Sequence, residues 1–332
     1  MGTTTGTGPA SPAGRPGAGG AVDEYVCRRP APALRPYVAR YTGYRQAGLR
    51  PALHRGLPSP YLTLILTLDD RLTVAAHPDP RQPPGHYDTL LGGLHAAPAL
   101  ITHEGRQSGV QIALGPLGAR ALLGPPAGEL AHLDVPADAV LGRHCAELHD
   151  RLRQAATWPE RFAVLDRVLP RLLRPERTAR PEVARAWHRL LASGGAVSVP
   201  ELAEEAGWST RHLTGRFRTE IGLTPKAAAR VVRFDRARRL LEARAVEAAG
   251  AVGARGADGT VAAGAGELGL AVLAAECGYF DQAHLAREFR ALAGCAPSRW
   301  LELEHGALFR NVQAAEGAPA PQWDVRGLTE DG

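Results

Sequence analysis

The chain has 332 residues, 45% of them hydrophobic, and 39 basic against 34 acidic side chains give it a net charge of +5. That length accommodates two domains with cores of their own, and no apolar run approaches the roughly 18 residues of a membrane span. The opening residues lack the apolar segment of a signal peptide, and the four cysteines, Cys27, Cys145, Cys277 and Cys295, never stand at Cys-x-x-Cys spacing. A zinc cluster is therefore not expected, and the thiols read as reduced, small apolar groups of a cytoplasmic protein that does not meet the membrane.

Residues 1–22 are mostly Gly, Pro, Thr, Ser and Ala and predict a disordered tail. Residues 23–175 predict a β-rich domain followed by helices. Strands are expected at 61–70, 72–76, 88–93, 98–103 and 108–116, with Asp69-Asp70 as a hairpin turn. Pro and Gly punctuate them closely, as in a small β-sandwich or barrel. A short helix is expected at 117–124, then longer ones at 138–155 and 158–173, the last shortened or kinked by Pro170. A polar, proline-bearing link follows at 174–182.

Residues 182–304 predict an all-helical domain, with helices at 182–193, 198–206, 209–221, 224–242, 268–277, 281–293 and 297–309. The segment 243–266 holds six glycines and almost no large apolar residue, and reads as a flexible insert. Residues 311–332 read as a loose tail. The fold class is α+β multidomain: a β-sandwich or barrel with following helices, then two helix-turn-helix subdomains.

Two stretches share one plan. In "EAGWSTRHLTGRFR" (205–218), Gly207 ends a helix, Trp208 plugs the corner and Ser209 caps a second helix. Leu213, Phe217 and Ile221 of that helix face inward. In "ECGYFDQAHLAREFR" (276–290), Gly278, Tyr279 and Asp281 take those places, with Leu285 and Phe289 inward. Tyr279 and Phe280 together are expected to pack the turn. The glycines lie 71 residues apart and the His-Leu-x-x-x-Phe-Arg cores 72, so the second turn is one residue longer. Two short helices joined by a glycine turn make a helix-turn-helix, whose second helix can enter a major groove.

Between Trp208 and Leu241 nine basic residues face two acidic ones, a larger excess than that of the whole chain. A basic stripe on helices suits a phosphate backbone, although a solvated helix face has the same composition.

With these motifs in view, residues 182–304 resemble the DNA-binding domain of the AraC/XylS family of bacterial transcription regulators. The resemblance rests on 202–241, 273–301, and the pairs Gly222/Pro225 and Gly294/Pro297. It implies seven helices in two helix-turn-helix units joined by a long helix, each unit reading double-stranded DNA. By position, the base-reading slots are Arg211, Thr214 and Gly215, then Gln282, Ala283, Ala286 and Arg287. Phosphate contacts are expected from Ser209, Arg216, Arg218, Arg230, Arg233, Arg236, His284 and Arg290. The β-rich region resembles an uncharacterised domain found ahead of such DNA-binding domains, and for residues 23–175 the resemblance implies an effector or dimerisation role. The expected partners are a small-molecule effector, a second copy of the chain and RNA polymerase. No cofactor, metal or catalytic residue is expected.

Two other readings remain at this point. A cysteine-dependent protein responding to DNA alkyl damage needs an activated thiol or a four-cysteine zinc site, and neither pattern occurs. A ligand-binding module with a degenerate DNA-binding domain would show no operator. His54, His77, His86, His95 and His103 include no His-x-His pair of the kind a cupin metal site needs.

Overall fold

The computed structural model describes residues 21–253 and 269–305. The expected tail at 1–20, insert residues 254–266 and the tail at 311–332 lie outside the described residues.

The chain is α+β. Its first part is a two-sheet sandwich. The strands in chain order are β1 (Val22–Arg28), β2 (Val38–Ala47), β3 (Ala52–Gly56), β4 (Leu62–Thr67) and β5 (Leu72–Ala76), then β6 (Gly85–Tyr87), β7 (Thr89–Gly92), β8 (Ala99–His103), β9 (Gln107–Leu114) and β10 (Asp134–Pro136). One sheet runs β1-β2-β9-β4-β7-β10 and the other β3-β8-β5-β6. Neighbouring strands are antiparallel, as short connections require.

The strands expected at 61–70, 72–76, 88–93, 98–103 and 108–116 all form, and Asp70 in the expected turn pairs with Arg106 at 2.6 Å. Strands β1, β2, β3, β6 and β10 had no individual signal. β1 begins at Val22, one residue inside the expected tail.

After β9 come α1 (Ala119–Leu123), a 3-10 turn at Ala127–Leu130, α2 (Asp138–Leu141), α3 (Arg143–Gln154) and α4 (Trp158–Leu172). The helix expected over 138–155 is broken at Gly142, whose φ of +56° suits glycine alone. α4 starts on a capping box from Thr157 and Glu160, and ends two residues after Pro170. It closes the outer face of the six-stranded sheet. Trp158 lies over Gly43, where a Cβ would stand 2.4 Å from the indole. Phe162 stacks on Tyr41 at 5.9 Å, and Tyr41 Oη donates to Asp166.

The second part comprises α5 (Pro181–Ala192), α6 (Val199–Glu205), α7 (Thr210–Ile221), α8 (Pro225–Gly253), α9 (Leu270–Glu276), α10 (Gln282–Ala293) and α11 (Pro297–His305). α8 runs eleven residues past the expected end at 242. Ala and Glu dominate 243–249 and favour helix, and Arg244 pairs with Glu276 at 2.9 Å, so the helix continues into the glycine-bearing segment.

α8 packs against α5, α7, α9 and α10 and so holds both halves of the domain. Phe217 meets Trp187 on one side, while Phe289 meets Phe234 at 4.9 Å and Trp300 at 5.6 Å on the other. Arg238 is fully buried within α8 and is paired with Asp235 and Glu242. No helix among the described residues is long and apolar enough to cross a membrane.

Candidate nucleic-acid interface

Both helix-turn-helix units form by local rules. In the first, Ser198 and Glu201 make a reciprocal capping box on α6. Gly207 takes φ +68°, and Ser209 Oγ accepts from the His212 N–H to cap α7. In the second, Gly278 takes φ +72° and Asp281 accepts from the His284 N–H to cap α10. Leu213, Phe217, Ile221, Leu285 and Phe289 are all buried, as their spacing predicts.

The expected base-reading residues share outward faces. Arg211 and Gly215 are exposed and Thr214 is half-buried on α7. Gln282, Ala283 and Arg287 are exposed and Ala286 is half-buried on α10. Arg218 and Arg290 extend the same two faces by one turn and are exposed. Each face thus offers planar or amide donors in a row, the groups that match guanine O6/N7 and adenine N6/N7.

Four of the expected phosphate contacts have surroundings of their own in the fold. Arg230 is paired internally with Glu288 of α10 at 2.7 Å. Arg233 lies over the Tyr279 ring at 5.9 Å. These two half-buried arginines fasten α8 to the second unit. Arg216 is exposed but stands about 140° round α7 from Arg211 at 3.6 residues per turn, off the reading stripe. The His284 ring packs edge-on to Tyr279, and its Nδ1 accepts from the Phe280 N–H at 3.2 Å. Ser209 and Arg236 remain exposed beside the first unit.

Burial raises the Tyr279 hydroxyl above its usual range, as expected for a corner plug. Phe280, expected to pack beside it, does not: its side chain is 93% exposed.

The β domain touches this region without covering it. Arg120 of α1 makes a double hydrogen-bonded pair with Glu220 of α7, at 2.7 and 2.9 Å. Gly128 lies against the backbone oxygens of Arg218 and Thr219. Glu220 is on the side of α7 opposite Arg211, so the face that carries Arg211 stays open. Farther along, Asp235 faces Arg239, Arg238 and Arg40 of β2. Burial alone would raise its carboxyl, but the three guanidiniums hold it below the usual range.

Between the two sheets lies a cavity of about 60 Å³. His54, His95, Gln107 and Gln111 line it beside Leu72 and Ile101. Gln111 Nε2 reaches Thr63 at 3.5 Å, while its buried Oε1 has no hydrogen-bond partner. Burial lowers the His95 imidazole, which is therefore neutral at pH 7. His77 is paired with Asp134 at 2.7 Å. Among the described residues no group of three His, Cys, Asp or Glu is placed to hold a metal ion. Cys145 and Cys277 are buried, which raises both thiols.

Residues 28–136 match a family described as a domain of unknown function (DUF6597). No curated protein matches the chain at a significant level. Among solved structures, ToxT from Vibrio cholerae O395 is 11% identical, with 79% of this chain and 96% of that one covered and a TM-score of 0.43. A further structure of ToxT from Vibrio cholerae is 9% identical, covering 79% and 97% with a TM-score of 0.45. ToxT bound to (E)-4-(8-methylnaphthalen-1-yl)but-3-enoic acid is 12% identical, covering 79% and 98% with a TM-score of 0.44. The DUF6597 match thus lies over the β-rich part of the chain, and two capped helix-turn-helix units on a common helix follow it.

Proposed function

We propose that the chain is a sequence-specific DNA-binding transcription regulator of the bacterial cytoplasm, and not an enzyme. α7 and α10 each enter a major-groove segment on one face of the duplex. Arg211 and Arg287 suit guanine, Gln282 suits adenine, and Thr214, Ala283 and Ala286 offer small groups to base edges. Arg218, Arg236, Arg290 and the N-terminus of α7 take phosphates.

The observation that carries this reading is the doubled outward face. Two helices of equal length, capped in the same way and buried on the same Leu/Phe pattern, leave Arg and Gln side chains in solvent. A purely structural domain has no need of that repetition.

We further propose that the β domain regulates DNA binding, through a small-molecule effector in the intersheet cavity or by pairing with a second copy. Activation would then proceed by contact with RNA polymerase. Support for an effector comes from the unpartnered Gln111 oxygen inside a cavity that also has an apolar wall.

The test is selection of genomic fragments by the purified protein, followed by titration of the best fragment at several salt concentrations. Enrichment of a site with two motifs about one helical turn apart is the expected result. A steep salt dependence without any enriched sequence would show backbone binding alone and overturn the reading.

A further inference from the structure

Phe280 has no structural task. It is the extra residue of the second turn: two steps separate Gly207 from its cap Ser209, and three separate Gly278 from Asp281. The other four described phenylalanines, Phe162, Phe217, Phe234 and Phe289, are at most 1% exposed, whereas Phe280 is 93% exposed. Its backbone is nonetheless fixed, because its N–H donates to His284 Nδ1 and the neighbouring Tyr279 is buried. The ring therefore projects from a rigid base, immediately before the N-cap of α10 and beside the exposed Gln282 and Ala283.

Resting on the DNA-binding reading above, we propose that Phe280 is a specificity-determining residue that meets the C5-methyl group of a thymine at the edge of the segment read by α10. The chemistry selects this partner. A phenyl ring offers no donor to a phosphate, and Asp281 next to it repels one. The thymine methyl is the apolar feature of the major groove, and phenylalanine is among the side chains that contact it. Docking of α10 would take the ring out of water, which the free protein leaves undone.

The experiment uses the full chain and the operator obtained by selection. Each thymine is replaced in turn by deoxyuridine, which removes only the methyl group. The wild type is expected to lose about fourfold in affinity at one thymine, the factor carried by burying one methyl-sized group. Phe280→Ala should bind the unmodified site correspondingly more weakly and show no further loss at that thymine. Its melting curve should match the wild type, and Arg287→Ala should keep the methyl sensitivity.

Phe280→Ala with wild-type affinity and a wild-type deoxyuridine profile overturns the proposal. So does a uniform loss on all sequences with that profile intact, which would place the ring on the sugar–phosphate backbone or on a protein partner. If the wild type enriches no sequence, the DNA-binding reading itself has failed, a result distinct from either of these.

Discussion

Arg236 and Arg287 are both exposed arginines of the helical domain, yet their positions assign them different work. Arg287 stands on the outward face of α10 and can present its guanidinium fork to one base pair. Arg236 lies on α8, off both reading helices. Arg287→Ala is expected to lose about 1–3 kcal/mol of discrimination at one operator position. Arg236→Ala should weaken all sequences alike and reduce the salt slope by about one. Affinities on a single-base-substituted operator set, at several salt concentrations, separate the two; an unchanged preference for Arg287→Ala would rule out this docking.

His95 gives a second residue-scale prediction. Burial lowers its folded-state pKa below the ordinary 6.5. Above pH 6.5 both states are neutral there and stability is unaffected. As pH falls from 6.5 toward the folded value, the unfolded chain binds the proton more readily, and stability is lost. His95→Gln should flatten the urea-midpoint profile on that acid side, and a profile parallel to the wild type would count against the assignment.

At the level of elements, the helix-turn-helix units were legible because everything that makes them is local. A glycine, an aromatic plug, a cap and an i, i+4 apolar pair lie within fourteen residues. Asp281 caps α10 with one side-chain acceptor, so Asp281→Ala should cost about 1 kcal/mol. It should also fray the end of α10 that is proposed to meet DNA. Asp281→Asn should recover most of the loss, and the check is thermal melting together with amide exchange at His284.

Other elements were not legible, for non-local reasons. β2 carries Gly43 where an alternating strand would carry a side chain, and the space is filled by Trp158, 115 positions along the chain. β1 is an edge strand whose exposed positions have no hydrophobic signature. The end of α8 was misplaced because six glycines in 243–266 outweighed the helix-forming Ala and Glu of 243–249. Arg230 and Arg233 read as surface charge in the sequence because their partners, Glu288 and Tyr279, lie far along the chain. Phe280 was placed in the corner because Tyr279 is there; the one-residue excess in the turn was the signal that only one of the two aromatics fits.

On the scale of the whole molecule, the proposed regulation requires that a state of the β domain reach α7 and α10. The contacts converge on the ends and backs of elements and leave the reading faces open. Arg120 holds Glu220, Arg40 faces the Asp235 cluster, and Gly128 rests on the last turn of α7. Gly128 is the most confined of these. A Cβ there would stand 2.1 Å from the Thr219 oxygen, so even alanine must push α7 and the 3-10 turn apart. Separation would also strain the Arg120–Glu220 pair, whose two short hydrogen bonds need both elements in place. Gly128→Ala is therefore expected to uncouple the two domains: calorimetry should show two transitions where the wild type shows one. Amide exchange should rise at Thr219–Gly222 and around Ala127–Ala131. Because Arg211, Thr214 and Gly215 lie away from the contact, the variant's affinity for the operator should stay close to that of the wild type, while any dependence of that affinity on the β domain disappears. A single transition at the wild-type temperature, with unchanged exchange at those residues, would show that this contact does not join the domains.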